Sequence, residues 1–385
     1  MKSWEIWPGI FVLLVIVSAC AGCVESTGQQ TDTKTGDVVS VNDSLGRNVT
    51  IPSDPTRIIC TGVSCIRYVV YLDAEDKLAA ATSGDQANAS VTHEDRPYVL
   101  ANPQFANLPS IGSSDSSINQ EQIVALHPQV IFTFVSASNQ TTDGSTSADV
   151  LQAKTGIPVI AETPGSITTD EGWAQIDATF RHMGQILHKE ERAEELISYI
   201  NASINDLENR TGNITASEQK TAYIGGVGYG GAHGITGTQP TYPPFEWVHV
   251  KNAAGNYTRQ SSAEFSKESL IYINPQYIFL DANTLSVQGE AGGFDDIKSP
   301  VFSGMQAVKN GDVYAVLAYN HGSTNIGTAL ADAYFIGKTV YPDRFADIDS
   351  QKKADEIYTM FVGKPVFDQL NANCDNLGFE KVPLE

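Results

Sequence analysis

The sequence predicts an α/β protein of two Rossmann-like lobes joined by one long backbone α-helix, with a cleft between the lobes. Three observations predict it: one helix-to-strand segment is written twice, a long amphipathic stretch separates the copies, and short apolar runs bounded by turn residues recur on both sides. The repeated segment is NQEQIVALHPQVIF at 119–132 and SKESLIYINPQYIF at 266–279, identical at five of fourteen positions when aligned without a gap. Each copy has an acidic residue in a first helical turn, apolar residues at helical spacing, a proline stop and a β-rich run. Related copies imply two similar lobes instead of one continuous sheet.

The elements follow in order. Residues 1–23 carry Lys2, an apolar run from Ile10 to Val17 and then SACAGC. The run is shorter than the roughly 20 residues of a transmembrane helix, so it reads as an export signal. The small residues before a cysteine resemble a lipoprotein processing motif, with Cys20 or Cys23 as the lipid-bearing residue. Residues 24–40 are small, polar and aperiodic, the composition of a flexible tether. An N-terminal α/β lobe is expected over 41–170, with apolar runs at Arg57–Cys60, Leu78–Ala81, Val130–Phe134 and Pro158–Ala161 reading as buried strands of a mostly parallel sheet.

From Trp173 to about Asn209 the apolar residues step by three or four, the pattern of an amphipathic helix. One helix over this stretch would reach roughly 50 Å and would serve as a stiff strut, so the inter-lobe helix is placed at 171–211. The second lobe, 212–385, has strand-like runs at Thr221–Gly225, Tyr277–Leu280 and Val313–Leu317. Its helical tail, 325–371, is broken at Pro342 and Pro365.

Composition excludes some partners. The 385 residues hold 45 acidic and 24 basic side chains, a formal charge of −21, which repels phosphate backbones and argues against nucleic acid. Sequons such as those at Asn42, Asn88 and Asn213 are compatible with a surface outside the cell. Cys60 and Cys65 are close enough to form a disulfide in an oxidising compartment, and equally suit two separate buried thiols. The cysteines show no zinc-type spacing.

No G-x-S-x-G elbow and no zinc-protease helix occurs. Gly226, Gly228 and Gly231 satisfy G-x-G-x-x-G after a strand, but the loop runs on through Gly234, Gly237, Pro240, Pro243 and Pro244 instead of opening a helix. FIGKT at 335–339 lacks the earlier glycine of a phosphate loop, since Asp332 stands there. No enzyme activity is therefore expected.

The stretch DSLGRNVTIPSDPTRII, 43–59, resembles the opening of the ABC-importer binding proteins for iron siderophores, haem and cobalamin, through Asp43, Gly46-Arg47, Val49, Ile51-Pro52, Pro55 and Arg57-Ile58-Ile59. The two repeat segments, the intervening helix and the tail TNIGTALADAYFIGKTVYPDRF are similar to that family as well. The resemblance implies a lipid-anchored solute-binding protein on the outer face of the cell membrane. It would capture an iron(III)-siderophore or similar metal chelate, with no intrinsic cofactor, and deliver it to an ABC permease and its ATPase subunits. Haem, cobalamin and a molybdate-like oxyanion are alternative ligands, and a surface lipoprotein without a transport role is an alternative of another kind. The resemblance also gives the repeat a use: Glu121 and Glu268 occupy the positions of surface glutamates that dock on permease arginines.

Ligand contacts are expected on loops at the carboxyl ends of strands. After the first strand these are Ser64 and Arg67; VSASNQTT, 135–142, is a further polar loop. In the Gly/Pro-rich segment 225–247 they are Tyr229, His233, Tyr242 and Trp247, which pair aromatic faces with polar tips. Past the last strand they are Tyr319 and His321, beside Asn320. Two histidines in the cleft would suit direct metal ligation or donation to an anionic chelate.

Overall fold

The computed structural model describes residues 37–86, 94–113, 118–135, 146–229, 231–255, 257, 262–286 and 292–385. The expected export signal with Cys20 and Cys23, and most of the loop after Phe134, lie outside these residues. Among the described residues no helix is long and apolar enough to cross a membrane.

The chain begins with an antiparallel hairpin, β1 (Val38–Asn42) and β2 (Asn48–Pro52). Asp43, in its turn, accepts from the Leu45 and Arg47 amides, ion-pairs with Arg47 at 2.6 Å and accepts from Ala161 N. Arg47 in turn donates to Val159 O. The Asp-Gly-Arg motif thus pins the hairpin to the edge of the first sheet, and Gly46 takes the positive φ its turn needs.

The N-terminal lobe holds β3 (Ile58–Thr61), α1 (Cys65–Tyr71), α2 (Pro97–Ala101), α3 (Gln120–Ala125), β4 (Val130–Phe134), α4 (Ser147–Thr155) and β5 (Val159–Glu162). Its sheet is parallel, ordered β3-β4-β5, and its strands are buried on both faces. The expected strand at 78–81 does not form. Leu78 bridges Ile58 and Ala81 bridges Ser110, two separate contacts with different partners that never become a ladder.

The predicted strut is two helices, α5 (Asp170–Leu187) and α6 (Glu190–Thr211). His188 takes a left-handed conformation, φ 58°, and ends α5. The chain then turns back sharply: Arg181 and Glu194 meet at 2.6 Å, whereas thirteen residues of straight helix would hold them roughly 20 Å apart. The two amphipathic periods run almost in phase across the break, which is why the sequence read as one helix. Helix α5 lies on the N-terminal lobe, where Thr179 donates to Thr163 O and His182 binds Glu162. Helix α6 is the inter-lobe helix, about 33 Å long, running from Arg192, which donates to Tyr71 O, to Thr211, which bonds His249.

The C-terminal lobe contains β6 (Thr221–Gly225), β7 (Gly237–Thr238), α7 (Pro243–Trp247), β8 (Lys251–Asn252), β9 (Ala263–Glu264), α8 (Lys267–Ile273) and β10 (Tyr277–Asp281). After these come α9 (Gly293–Asp296), α10 (Gln306–Asn310), β11 (Val313–Val316), α11 (Ile326–Val340), α12 (Ser350–Val362) and α13 (Phe367–Asn373). The main sheet is parallel, ordered β11-β10-β6-β8. The tail is helical as expected, interrupted at both prolines.

The repeat is visible in atomic detail. Asn119 and Ser266 cap α3 and α8, Glu121 and Glu268 occupy the second helical position, and Ile123 and Leu270 are buried two residues on. Gln129 Oε1 accepts from the Thr56 and Arg57 amides, and Gln276 Oε1 from the Thr221 amide. Each repeated glutamine thus fastens the start of the central strand to the start of its neighbour.

Candidate functional site

Three parallel strands of the C-terminal lobe, β6, β10 and β11, deliver their carboxyl ends to one place, where the loops that follow them line a cavity of about 350 Å³. The loop after β6 contributes residues from Gly228 to Ala232, the turn after β10 contributes Asn283, and the segment after β11 contributes Asn320 to Ser323. Asn320 Nδ2 donates to Gly228 O at 2.6 Å and holds two of the loops together.

The N-terminal lobe meets this rim. Asp95 binds His321 Nδ1, and Ser64 Oγ lies 3.4 Å from Gly322 O. Arg67 is fully buried. Its Nη1 donates to Ser64 Oγ and Thr324 O, at 3.1 and 2.8 Å, and its Nη2 to His321 O and Gly322 O, at 3.1 and 2.7 Å. Among the described residues its Nε lacks a partner. Arg67 was expected to face a ligand; its fork is instead occupied by carbonyls of the opposite lobe, so it clamps the lobes together. Ser64 takes φ 79° just before α1, and Cys60 and Cys65, on either side of that turn, are joined in a disulfide.

Tyr229 lines the cavity, its ring stacked on His233 at 3.9 Å. Its hydroxyl donates to Glu264 at 3.0 Å, and burial together with that carboxylate pushes the phenol up to about 12. His233 Nε2 donates to Tyr229 O, and its Nδ1 lies 3.3 Å from Glu264. His233 therefore supports the Tyr229 wall from behind and is not among the lining residues. His321 does line the cavity, with its side chain 41% exposed.

Three expected contacts lie elsewhere. Tyr242 is fully buried, edge-on to Phe245. Trp247 packs against Trp173 of α5. Tyr319 is buried with its hydroxyl on Gln239. Their apolar rings fill the space between the sheet and the covering helices, a stronger drive than exposure in a loop rich in glycine and proline.

Sequence reasoning missed Asp95, Asn283, Asp281 and Asp332. The last two are entirely buried, no cation pairs with either among the described residues, and desolvation pushes both carboxyl groups well above the usual range. Asn283 was findable, because it follows β10 at a strand's carboxyl end. Asp95 belongs to no strand pattern and gave no such signal.

Glu121 and Glu268 are exposed, one on each lobe. Glu268 is held below the usual carboxylate range by its own backbone amide and by the Ser266 hydroxyl. Exposed apolar residues stand in register beside them, Val124 at 41% and Ile271 at 36%, with Tyr272 at 82%.

Residues 58–318 match the family described as periplasmic binding protein. The molybdate-binding protein MolA of Haemophilus influenzae is 23% identical over 335 residues, covering 83% of this chain and 90% of that protein. The ABC transporter substrate-binding lipoprotein YvrC of Bacillus subtilis is 21% identical over 351 residues, covering 90% of this chain and 99% of YvrC. Among solved structures, MolA bound to molybdate superposes with a TM-score of 0.63 at 20% identity, over 85% of this chain and 98% of that one. A periplasmic solute binding protein from Veillonella parvula gives 0.66 at 20% identity, over 88% and 99%. With two parallel-sheet lobes, a single connecting helix and a cavity where the lobes meet, the chain belongs to the periplasmic binding protein family.

Proposed function

We propose that this protein is the extracytoplasmic solute-binding component of an ABC importer, tethered by a lipid on Cys20 or Cys23, and that it captures an iron(III)-siderophore or similar metal chelate. The observation that carries this reading is the cavity at the lobe boundary, with His321 on its wall and the Nδ1 of that histidine held by Asp95 of the other lobe. A carboxylate on one imidazole nitrogen orients the ring and fixes its tautomer. That leaves the Nε2 lone pair for a metal with an open position or for a donor group on the chelate. Glu121 and Glu268 supply the delivery end: two exposed carboxylates, one per lobe, suited to basic residues of a permease.

The similarity to a molybdate-binding protein favours a second reading, a bare oxyanion. The cavity lining contains no lysine or arginine among the described residues, and a small dianion without a cationic partner is poorly compensated at a buried site. The chelate is therefore preferred.

Native mass spectrometry of the purified protein against ferric chelates, haem, cobalamin and molybdate tests the ligand. A mass shift with a ferric chelate is expected; a shift with molybdate alone rejects it. In cells, Glu121→Lys with Glu268→Lys is expected to abolish uptake and leave affinity intact. Unchanged uptake would reject the transport role and favour a surface lipoprotein of another function.

A further inference from the structure

The turn after β10 is built to hold one side chain at the cavity floor. Asn283 N donates to Asp281 Oδ1 at 2.9 Å, and the next residue, Thr284, accepts from Gly293 N through Oγ1. Gly226 and Gly292 lie so close to Thr284 that a Cβ on either would stand 2.7 and 2.4 Å from it. The turn is thus locked on both sides. Asn283 is 8% exposed and lines the cavity, yet among the described residues its Nδ2 has no hydrogen-bond partner. A buried donor left without an acceptor is costly, so its persistence at a cavity wall calls for an acceptor that enters from the cavity.

Space for that amide is also specific. A Cβ at Gly228 would lie 2.8 Å from Asn283 Nδ2 and 3.0 Å from its Cγ. Glycine at 228 leaves the amide room, while the Gly228 carbonyl is already taken by Asn320. The surrounding chemistry narrows what arrives. One ring, Tyr229, and one methyl, Ala232, are the apolar lining; the rest is glycine or polar. Large macrocycles bind against mostly apolar walls, and none stands among the described residues. The lining holds no aspartate, glutamate, lysine or arginine among the described residues, and Asp281, which holds the turn, is fully buried with its carboxyl pushed well above the usual range by desolvation.

We propose that the Asn283 side-chain amide is the specificity-determining contact of this cavity, donating through Nδ2 to an oxygen atom of a small oxygen-donor metal chelate. This deepens the chelate-binding reading above and rests on it. Asn283 positions the chelate by its oxygen atoms, with Tyr229 and His321 on the adjoining walls.

The test is fluorescence or calorimetric titration of the purified protein with ferric citrate, a ferric bis-catecholate, molybdate and haem. Wild type is expected to bind at least one of the two ferric probes. Asn283→Ala is expected to weaken it at least 10-fold, and Asn283→Asp, nearly isosteric and an acceptor where a donor stood, about 100-fold. Gly228→Ala keeps the amide but displaces it, and the same direction of loss is expected; thermal unfolding checks that all three variants fold. Affinities within twofold of wild type for folded Asn283→Asp and Gly228→Ala overturn the proposal. So does binding of haem or molybdate alone, or of none of the probes, by wild type. Transport fails separately: an intact Asn283 effect with uptake that survives reversal of Glu121 and Glu268 removes the importer and leaves the chelate assignment standing.

Discussion

Replacing Arg67 with methionine keeps most of the buried stem and removes the fork that bridges the lobes. Three bonds to carbonyls of the opposite lobe are lost, those to Thr324, His321 and Gly322. At about 1.5 kcal/mol per charge-assisted bond the loss approaches 4–5 kcal/mol. Removing a buried charge that has no carboxylate partner among the described residues returns about 1–2 kcal/mol, so the net destabilisation is about 3 kcal/mol. At about 2 °C per kcal/mol, the lower end for a large domain, the melting temperature should fall by about 6 °C. Arg67→Lys keeps a charge with three donors but no planar fork, and about half that loss is expected. Circular dichroism reads the melting temperature, and small-angle scattering reads whether the lobes separate. A methionine variant that melts within about 1 °C of wild type, with an unchanged radius of gyration, would refute the clamp.

Other expectations concern the supports of the site and the repeat. Cys60→Ala with Cys65→Ala should cost about 2 kcal/mol, the chain-entropy value for so short a loop, read as a lower denaturation midpoint under non-reducing conditions. His182 is partly buried, which opposes its charge, yet its hydrogen bond to Glu162 and the Glu162 and Asp43 charges lift it above the ordinary histidine value. A raised folded pKa contributes stability that is full below the unfolded value of about 6.5 and is lost as pH rises through the folded one. Chemical denaturation should show that decline in wild type and not in His182→Gln. Gln129→Ala frees two backbone amides and Gln276→Ala one, both near the surface where water replaces them in part. The first should cost about 1 kcal/mol and the second about half that; equal losses in denaturant midpoints would contradict the asymmetry.

The sequence made the two-lobe plan legible because its signals were local. Capped helices, proline stops and apolar strands needed no knowledge of distant residues, and β4, β6 and β10 begin where their apolar runs do. The break at His188 was hidden, since one residue in a left-handed conformation changes the chain's direction without disturbing the apolar spacing on either side. The site was harder still. Tyr242, Trp247 and Tyr319 sit in a loop-rich region, but burial of their rings outweighs any local preference for exposure. Asp95 reaches His321 across a sequence separation of 226, and nothing in either neighbourhood announces the partner. Arg67 spends its fork on carbonyls of the opposite lobe, a role its sequence cannot tell from ligand binding, because a fork meets carbonyls and ligand oxygens with the same chemistry.

The repeat separates two kinds of constraint that sequence identity alone merges. Its glutamines are explained by the fold: each fastens a strand start through backbone bonds, and a sheet of this type needs that fastening in either lobe. Its glutamates are not. Both carboxylates point to solvent from the second position of a capped helix, and the macrodipole contributes only about 0.3–1 kcal/mol there, an effect that aspartate supplies equally well. Glu121→Asp with Glu268→Asp therefore tells the two constraints apart. Helix stability is kept, while each carboxylate is drawn back by one methylene. Unchanged melting with reduced uptake places the requirement on a partner at fixed reach. Unchanged melting with full uptake assigns the repeated glutamates to the helix alone and leaves the docking surface to be sought elsewhere.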